Sequence, residues 1–411
     1  MSLRRAGALA LSLVSTSCGS RTDVLFADGA YGRLDGGRDA HAPDGADGSS
    51  AIAPSGTCKW SLGPTTQLTQ PPDDHQVTSA IHVEGGALVG TMSSDDPATD
   101  RSWVATPLRA DGTLAGAPIA VFGGRPDGLS IGGLSLADGF GRRAAMAWDS
   151  RDLCRFAELD AGSSAPGPVT VVSKEYCSGL HATPRGYRWV EGDLSPGWTH
   201  VIATYEAGVR SVGAPVTPLA DKAYWFAVVG APDGATIAAW IAEGRTPAQI
   251  VGSVIGGRAI DGPTIEGKGR WIRLAPSDDG KAAHVVWVDG PSGASSASVR
   301  FATLDRTTAS FDPAHLVSAQ AFRDGGVGLG TANGDVLVAW MEGDATHAQR
   351  LYVQPLERDG TPRADRLLVS QFFAGSSPRL IATSNGAVVV YMAEPTAAPM
   401  QVYATALNCP P

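Results

Sequence analysis

A short strand pattern ending in Trp or Tyr returns along this chain at intervals near fifty residues, and no other feature constrains the fold as tightly. The members are ALVGTM, with Thr91 at the aligned place, AAMAWD (Trp148), VIATYE (Tyr205), TIAAWI (Trp240), HVVWVD (Trp287), VLVAWM (Trp340) and VVVYMA (Tyr391). Neighbouring members lie 57, 57, 35, 47, 53 and 51 positions apart. A period of this size marks an array of supersecondary units, each too small to bury its own apolar face.

The parts of each unit follow one order. A first strand such as PRLIATSNG or WIRLAPSDDG ends in Asn-Gly or Asp-Gly, residues that tolerate the positive φ of a tight hairpin. The aromatic strand comes second. A third follows a polar loop (SWVATPL, CRFAELD, VRFATLD, LYVQPLE, VYATALN), and a turn such as RADG or ERDG leads to a short fourth, such as VTVVS, HLVS or LLVS. Four antiparallel strands per unit predict an all-β β-propeller of seven blades over residues 58–411. The unit between Tyr205 and Trp240 is short, so reduced outer strands are expected there. The segment TTQLTQ (65–70) reads as a fourth strand, whereas the C-terminus stops after a third. The N-terminal segment is therefore expected to supply the outer strand of the last blade and close the ring.

Ahead of the repeat, Arg4 and Arg5 precede an apolar run, Ala6 to Val14, and the small residues Ser15-Thr16-Ser17 lead to Cys18. Residues 1–17 form a secretory signal, too short to span a bilayer as a helix. Its end resembles the lipobox of bacterial lipoproteins, with Ser15 where that family usually has Leu. The resemblance implies a lipid on Cys18 as the new N-terminus. Gly19, where Asp would favour the inner membrane, implies outer-membrane or cell-surface anchoring, with periplasmic release or secretion as the alternative. Residues 18–57 carry DGGRDAHAPDGADGSSAIAPSG and one apolar cluster, Val24-Leu25-Phe26, too little to offset the entropy of ordering, so a disordered linker is expected.

Cysteine usage agrees with export. Cys58, Cys154, Cys177 and Cys409 remain once Cys18 is set aside, and no C-x-x-C suggests zinc or thioredoxin-type chemistry. An even number in an exported chain reads as two disulfides. The repeat places Cys58 before the N-terminal strand and Cys409 after the C-terminal one, so that pair would lock the closure. Cys154 and Cys177 flank the third and fourth strands of one unit and would pair locally.

Motifs for chemistry are sparse. Gly128-Leu129-Ser130-Ile131-Gly132 matches G-x-S-x-G, but it sits in strand-like sequence with no helix to form a nucleophile elbow. GPTIEGK (262–268) lacks the Ser or Thr that a phosphate loop needs next, having Gly269 instead. The histidines form no ligand pattern, and His200 and His284 are expected to be structural; no metal or cofactor is expected. A net charge of −9 with no basic stripe argues against nucleic acid. Acids do recur at the ends of the aromatic strands: Asp149, Glu206, Glu243, Asp289, Glu342 and Glu394. If the units are equivalent, these gather at one face, with Arg273, Arg323 and Arg379 on the segments entering nearby blades. Such a ring could hold a charged or glycan ligand, or merely keep strand ends solvated and locally paired. Trp148, Trp240, Trp287 and Trp340 are expected to pack between blades, with Trp189, Trp198, Trp225 and Trp271 as candidates for a sugar platform.

Taken together, the repeat, the lipobox-like Cys18 and the linker make residues 58–411 resemble bacterial exported β-propeller lipoproteins. Trp148-Asp149 stands alone as a WD pair and no Asp-box is present, so the resemblance carries no activity to particular residues. Two functions are expected to compete. One is a non-catalytic binding or scaffold module at the cell surface, taking a protein or glycan on one propeller face. The other is a glycan hydrolase or lyase on the same face, for which Asp289, Glu342 and Glu394 are the first acids to test, since a glycosidase needs paired carboxylates.

Overall fold

The computed structural model describes residues 58–70, 75–93, 103–122, 131–149, 153–160, 166–192, 199–290, 296–322, 325–343, 349–372, 377–394 and 399–409. The expected signal, Cys18, the expected linker, Arg323, Trp198 and Gly128 to Ser130 lie outside them, as does the side chain of Asp149. Among the described residues there is no α-helix; one 3-10 turn, Leu219–Asp221, joins two sheets.

The strands form antiparallel sheets in chain order. The first holds β2 (His75–Val83), β3 (Gly86–Ser93), β4 (Trp103–Arg109) and β5 (Ile119–Phe122). The second holds β6 (Ile131–Gly139), β7 (Arg142–Asp149), β8 (Leu153–Glu158) and β9 (Thr170–Ser173). Next comes β10 (Tyr176–Thr183), β11 (Gly186–Gly192), β12 (His200–Glu206) and β13 (Val209–Pro215), then β14 (Phe226–Gly230), β15 (Thr236–Ala242), β16 (Gln249–Val254) and β17 (Ile260–Thr264). A larger sheet takes in β18 (Lys268–Pro276), β19 (Ala282–Gly290), β20 (Ser296–Asp305), the two-residue β21 (Ser310–Phe311) and β22 (His315–Phe322). It continues through β23 (Val327–Ala332), β24 (Asp335–Glu342), β25 (Arg350–Leu356) and β26 (Leu367–Ser370). Its two halves meet through one residue pair, Ala321 with Glu342. The last sheet has the order β1 (Ser61–Gln67), β29 (Gln401–Asn408), β28 (Gly386–Ala393), β27 (Arg379–Thr383).

First strands β2, β6, β10, β14, β18, β23 and β27 touch one another in that order, and β27 returns to β2. This is a propeller: first strands surround an axis and the sheets radiate from it. Head and tail meet inside one sheet, because β1 pairs along β29 from Ser61↔Asn408 to Gln67↔Tyr403. A disulfide joins Cys58 to Cys409 with Cα atoms 5.5 Å apart, and a second joins Cys154 to Cys177. Both pairings match the expectation from the repeat.

Burial follows radial position. Second strands lie between sheets on both faces, which is why β15 (TIAAWIA) and β24 (DVLVAWME) are buried at every residue and read as unbroken apolar runs. The outermost strand β13 is exposed throughout. Trp240, Trp287 and Trp340 are almost wholly buried on the second strands, packing between sheets.

One alignment in the repeat is corrected. Tyr205 sits on β12, a third strand; the second strand of that sheet is β11, with Trp189. Gly186 confirms the equivalence, since a Cβ there would strike the Tyr205 carbonyl, as at Gly86 against Leu108 and Gly386 against Leu407. With Trp189 in place of Tyr205 the spacings become 57, 41, 51, 47, 53 and 51, and the short unit disappears into two complete four-stranded sheets. The hairpin that signals a first strand is Pro184-Arg185 here rather than Asn-Gly. Ala207-Gly208, with φ of 50° and 81°, instead closes the β12–β13 hairpin.

Candidate functional site

Each second strand has two ends. One joins the first strand through a tight hairpin; the other runs into the loop toward the third strand. Acids at the loop end were the expected ligand face, and two of them, Asp289 and Glu342, are committed to structure. Glu342, the last residue of β24, accepts the Trp340 indole N–H at 3.0 Å and the Ser318 hydroxyl at 3.1 Å, and pairs with Arg366. Glu191, two residues beyond Trp189, repeats the arrangement: Trp189 Nε1 donates at 2.9 Å and Arg210 supplies the guanidinium.

Side-chain length decides the variations. Asp289 also stands two residues beyond its tryptophan, but Asp is one methylene shorter than Glu. It accepts the backbone N–H groups of Glu266 and Gly267 at 3.1 and 3.0 Å and pairs with Arg300 at 3.4 Å. Trp287 Nε1 is left without a partner among the described residues. Trp240 has Ala242 at that place, and its carboxylate comes from Asp221, which Arg245 also holds at 2.9 Å. A fourth case bridges the seam: Trp60 Nε1 donates to Asp335 at 2.7 Å, and Arg363 pairs with the same carboxylate at 2.7 Å. An indole N–H or carboxylate buried without partners is costly, and the Trp–carboxylate–Arg set satisfies all three groups at once.

The remaining expected residues scatter. Glu206 pairs with Gly186 at the hairpin end, opposite the others, because its strand is third rather than second. Glu394 is exposed just past β28. Half-buried Glu243 has its carboxyl pushed above the usual range by desolvation, against the opposing charges of Lys268 and Arg270. Arg273 and Arg379 lie in the ring wall, 6% and 7% exposed. Arg379 donates to Ser377 O at 2.9 Å and to Thr78 O at 3.0 Å, tying β27 to β2 where the ring of first strands closes; Arg273 donates to its neighbour Ile272 O. Trp189 and Trp271 are buried and Trp225 packs on Trp271 at 5.1 Å, so none of the three is an open sugar platform.

The two histidines expected to be structural, His200 and His284, are packed into the sheets. His200 stacks on Phe226 at 4.5 Å. His284 shares a hydrogen bond with Thr303 Oγ1, and burial depresses its pKa to about 4. Among the described residues no three His, Cys, Asp or Glu side chains converge as a metal site.

A cavity of about 1200 Å³ opens at the other end of the axis, where the hairpins between first and second strands converge. Residues from every one of these hairpin regions line it, including Glu84, Asp138, Phe140, Asp278, Asn333 and Ser384. None of the expected ligand-face residues whose side chains are described takes part. Phe140 occupies φ 53°, a conformation few bulky residues adopt, between Gly139 and Gly141, which are also at positive φ. Sequence reasoning passed over this funnel because its lining comes from turns, each unremarkable alone; only the closed ring brings them together.

No family model matches the chain, and no curated protein matches it. Among solved structures it is similar to an oligogalacturonate lyase in complex with manganese, at 11% identity and a TM-score of 0.51, covering 86% of this chain and 98% of that one. It also aligns with a prolyl endopeptidase at 11% identity and a TM-score of 0.47, covering 82% of this chain and 50% of that one, so it spans about half that protein. At such identity the first likeness speaks for the fold alone.

Proposed function

We propose that this chain is a non-catalytic, exported binding lipoprotein, anchored through Cys18 at the outer membrane, with a seven-bladed ring that takes its ligand in the hairpin-end funnel. The blade count treats the large sheet as two, since one residue pair joins its halves. The observation that carries the reading is the contrast in carboxylates: Asp289 and Glu342, needed by a glycosidase mechanism at the loop end, are held by arginines and hydrogen-bond donors. The funnel, by comparison, is wide and carries exposed carboxylates such as Glu84 and Asp278.

Glycan-array and pull-down screens on the full chain, with Cys18→Ala to keep it soluble, test the reading alongside a Ser384→Trp variant that obstructs the funnel. A ligand captured by the first and lost by the second is expected; capture indifferent to the obstruction overturns the site. Mass spectrometry of the native N-terminus checks the anchor, which requires a diacylglyceryl mass on Cys18.

A glycan lyase or hydrolase is the second reading. Glu243 favours it, since a half-buried carboxyl with a raised pKa beside two cations is suited to proton transfer. The likeness to a lyase fold is compatible with it. Depolymerisation of any glycan by the purified chain, abolished by Glu243→Gln, would replace the binding reading with this one.

A further inference from the structure

We infer that the ligand of the funnel is a polyammonium compound, a linear molecule carrying two or more primary ammonium groups; this rests on the funnel being the binding site. The lining holds five carboxylates, Glu84, Asp138, Glu158, Asp160 and Asp278, and two arginines, Arg142 and Arg143, a balance of 2 − 5 = −3 with histidine neutral. One pair cancels internally, because Arg143 holds Asp138 at 3.1 Å. Glu84, Glu158, Asp160 and Asp278 are exposed and make no ion pair with any described residue, and among the described lining residues Arg142 is left as the opposing cation.

The geometry narrows the class further. Glu84, Glu158 and Asp160 belong to the first two sheets, whereas Asp278 comes from the β18–β19 hairpin, several first strands away around the ring. A single small cation cannot contact both groups in a cavity of about 1200 Å³. A chain with ammonium groups at intervals can. Its methylenes would lie against the half-buried ring of Phe140, on the hairpin between β6 and β7. The Tyr187 hydroxyl has its pKa raised, chiefly by desolvation and then by Glu158, with Arg142 opposing and Asp138 adding a smaller push.

The probe is spermine, titrated calorimetrically into the full Cys18→Ala chain at 0.05 and 0.15 M salt, with putrescine as the shorter comparison. Spermine is expected to bind more tightly than putrescine, and more weakly at the higher salt because exposed charges are screened over about 8 Å. Glu84→Gln with Asp278→Asn should weaken spermine about tenfold or more, equivalent to ~1.4 kcal/mol per decade. Arg142→Gln should tighten it. Absence of spermine binding, or binding unmoved by both variants, overturns the inference. If a different ligand is captured and Ser384→Trp abolishes that capture, the funnel stands as the site while the polyammonium class falls.

Discussion

Carboxylates between the sheets and carboxylates at the axis meet opposite fates in this ring. Between sheets, Asp335 and Glu191 have side chains only 1% and 2% exposed, and each is matched to an indole N–H and a guanidinium. At the axis, Glu84 and Asp278 stand at hairpin tips in a cavity wide enough for water and ligand. The difference is one of dielectric. A carboxylate packed between two sheets must bring its partners with it, because desolvation otherwise costs several kcal/mol. A carboxylate on a turn near the axis keeps water and needs none. Acids available to a ligand are therefore found where the blades converge, and those between the blades act as fasteners.

The largest expected effect tests whether the packing between sheets carries the stability. Replacing Cys58 and Cys409 by Ala removes a link across 351 positions; chain entropy places the cost at about 6 kcal/mol, against about 3 kcal/mol for Cys154 and Cys177, 23 positions apart. Urea denaturation of the two double variants checks the order. Equal losses would mean that the seam is held by its strands alone.

Asp335→Ala is next. It takes the acceptor from Trp60 Nε1 and one partner from Arg363 at a buried site, and should cost about 3 kcal/mol. Asp278→Ala, an acid of the axis, should stay within about 0.5 kcal/mol. A substantial loss from Asp278→Ala would erase the distinction between the two regions.

Much of this was legible in the chain. The period of the aromatic strands, the Asn-Gly and Asp-Gly hairpins and the split closing sheet follow from local patterns, and the cysteines took their pairing from the same repeat. Where the pattern misled, a specific residue explains it: VIATYE alternates like a second strand and ends in an acid, while the true second strand follows Pro184-Arg185, which carries no hairpin signature. The acids at the strand ends could be seen, but not their partners. Arg366 and Arg210 lie 24 and 19 positions from Glu342 and Glu191 and reach them only after the outer strand has folded back. The funnel was invisible for the same reason on a larger scale, since its lining spans His82 to Ser384.

Acid should loosen the packing between sheets before it alters the axis. Burial depresses the pKa of His181 to about 4, and that of His284 likewise to about 4, from 6.5 in the unfolded chain. Between these values the unfolded chain takes up protons that the folded one refuses. The stability contributed is thus fully present above pH 6.5 and is lost as pH falls toward 4, on the order of 3 kcal/mol for each group. Denaturation midpoints between pH 7 and 4.5 should fall steadily, and His181→Asn should flatten that slope. A slope unchanged in the variant would remove His181 as a cause.

The smallest effect isolates a single methylene. Glu342 and Glu191 reach back to the indole of the tryptophan two residues earlier, and Asp289, in the same register, turns to backbone N–H groups and leaves Trp287 Nε1 without a partner among the described residues. Glu342→Asp keeps the charge near Arg366 but shortens the arm, so the Trp340 hydrogen bond should be lost at a cost of about 1–2 kcal/mol. Glu342→Gln keeps the arm and gives up the charge. Arg366 is 43% exposed and can turn to solvent, so that change should cost less than 1 kcal/mol. Tryptophan fluorescence and urea midpoints of the two variants separate the contributions: if Gln proves the more damaging, the ion pair rather than the reach to the indole is what fixes Glu at this position.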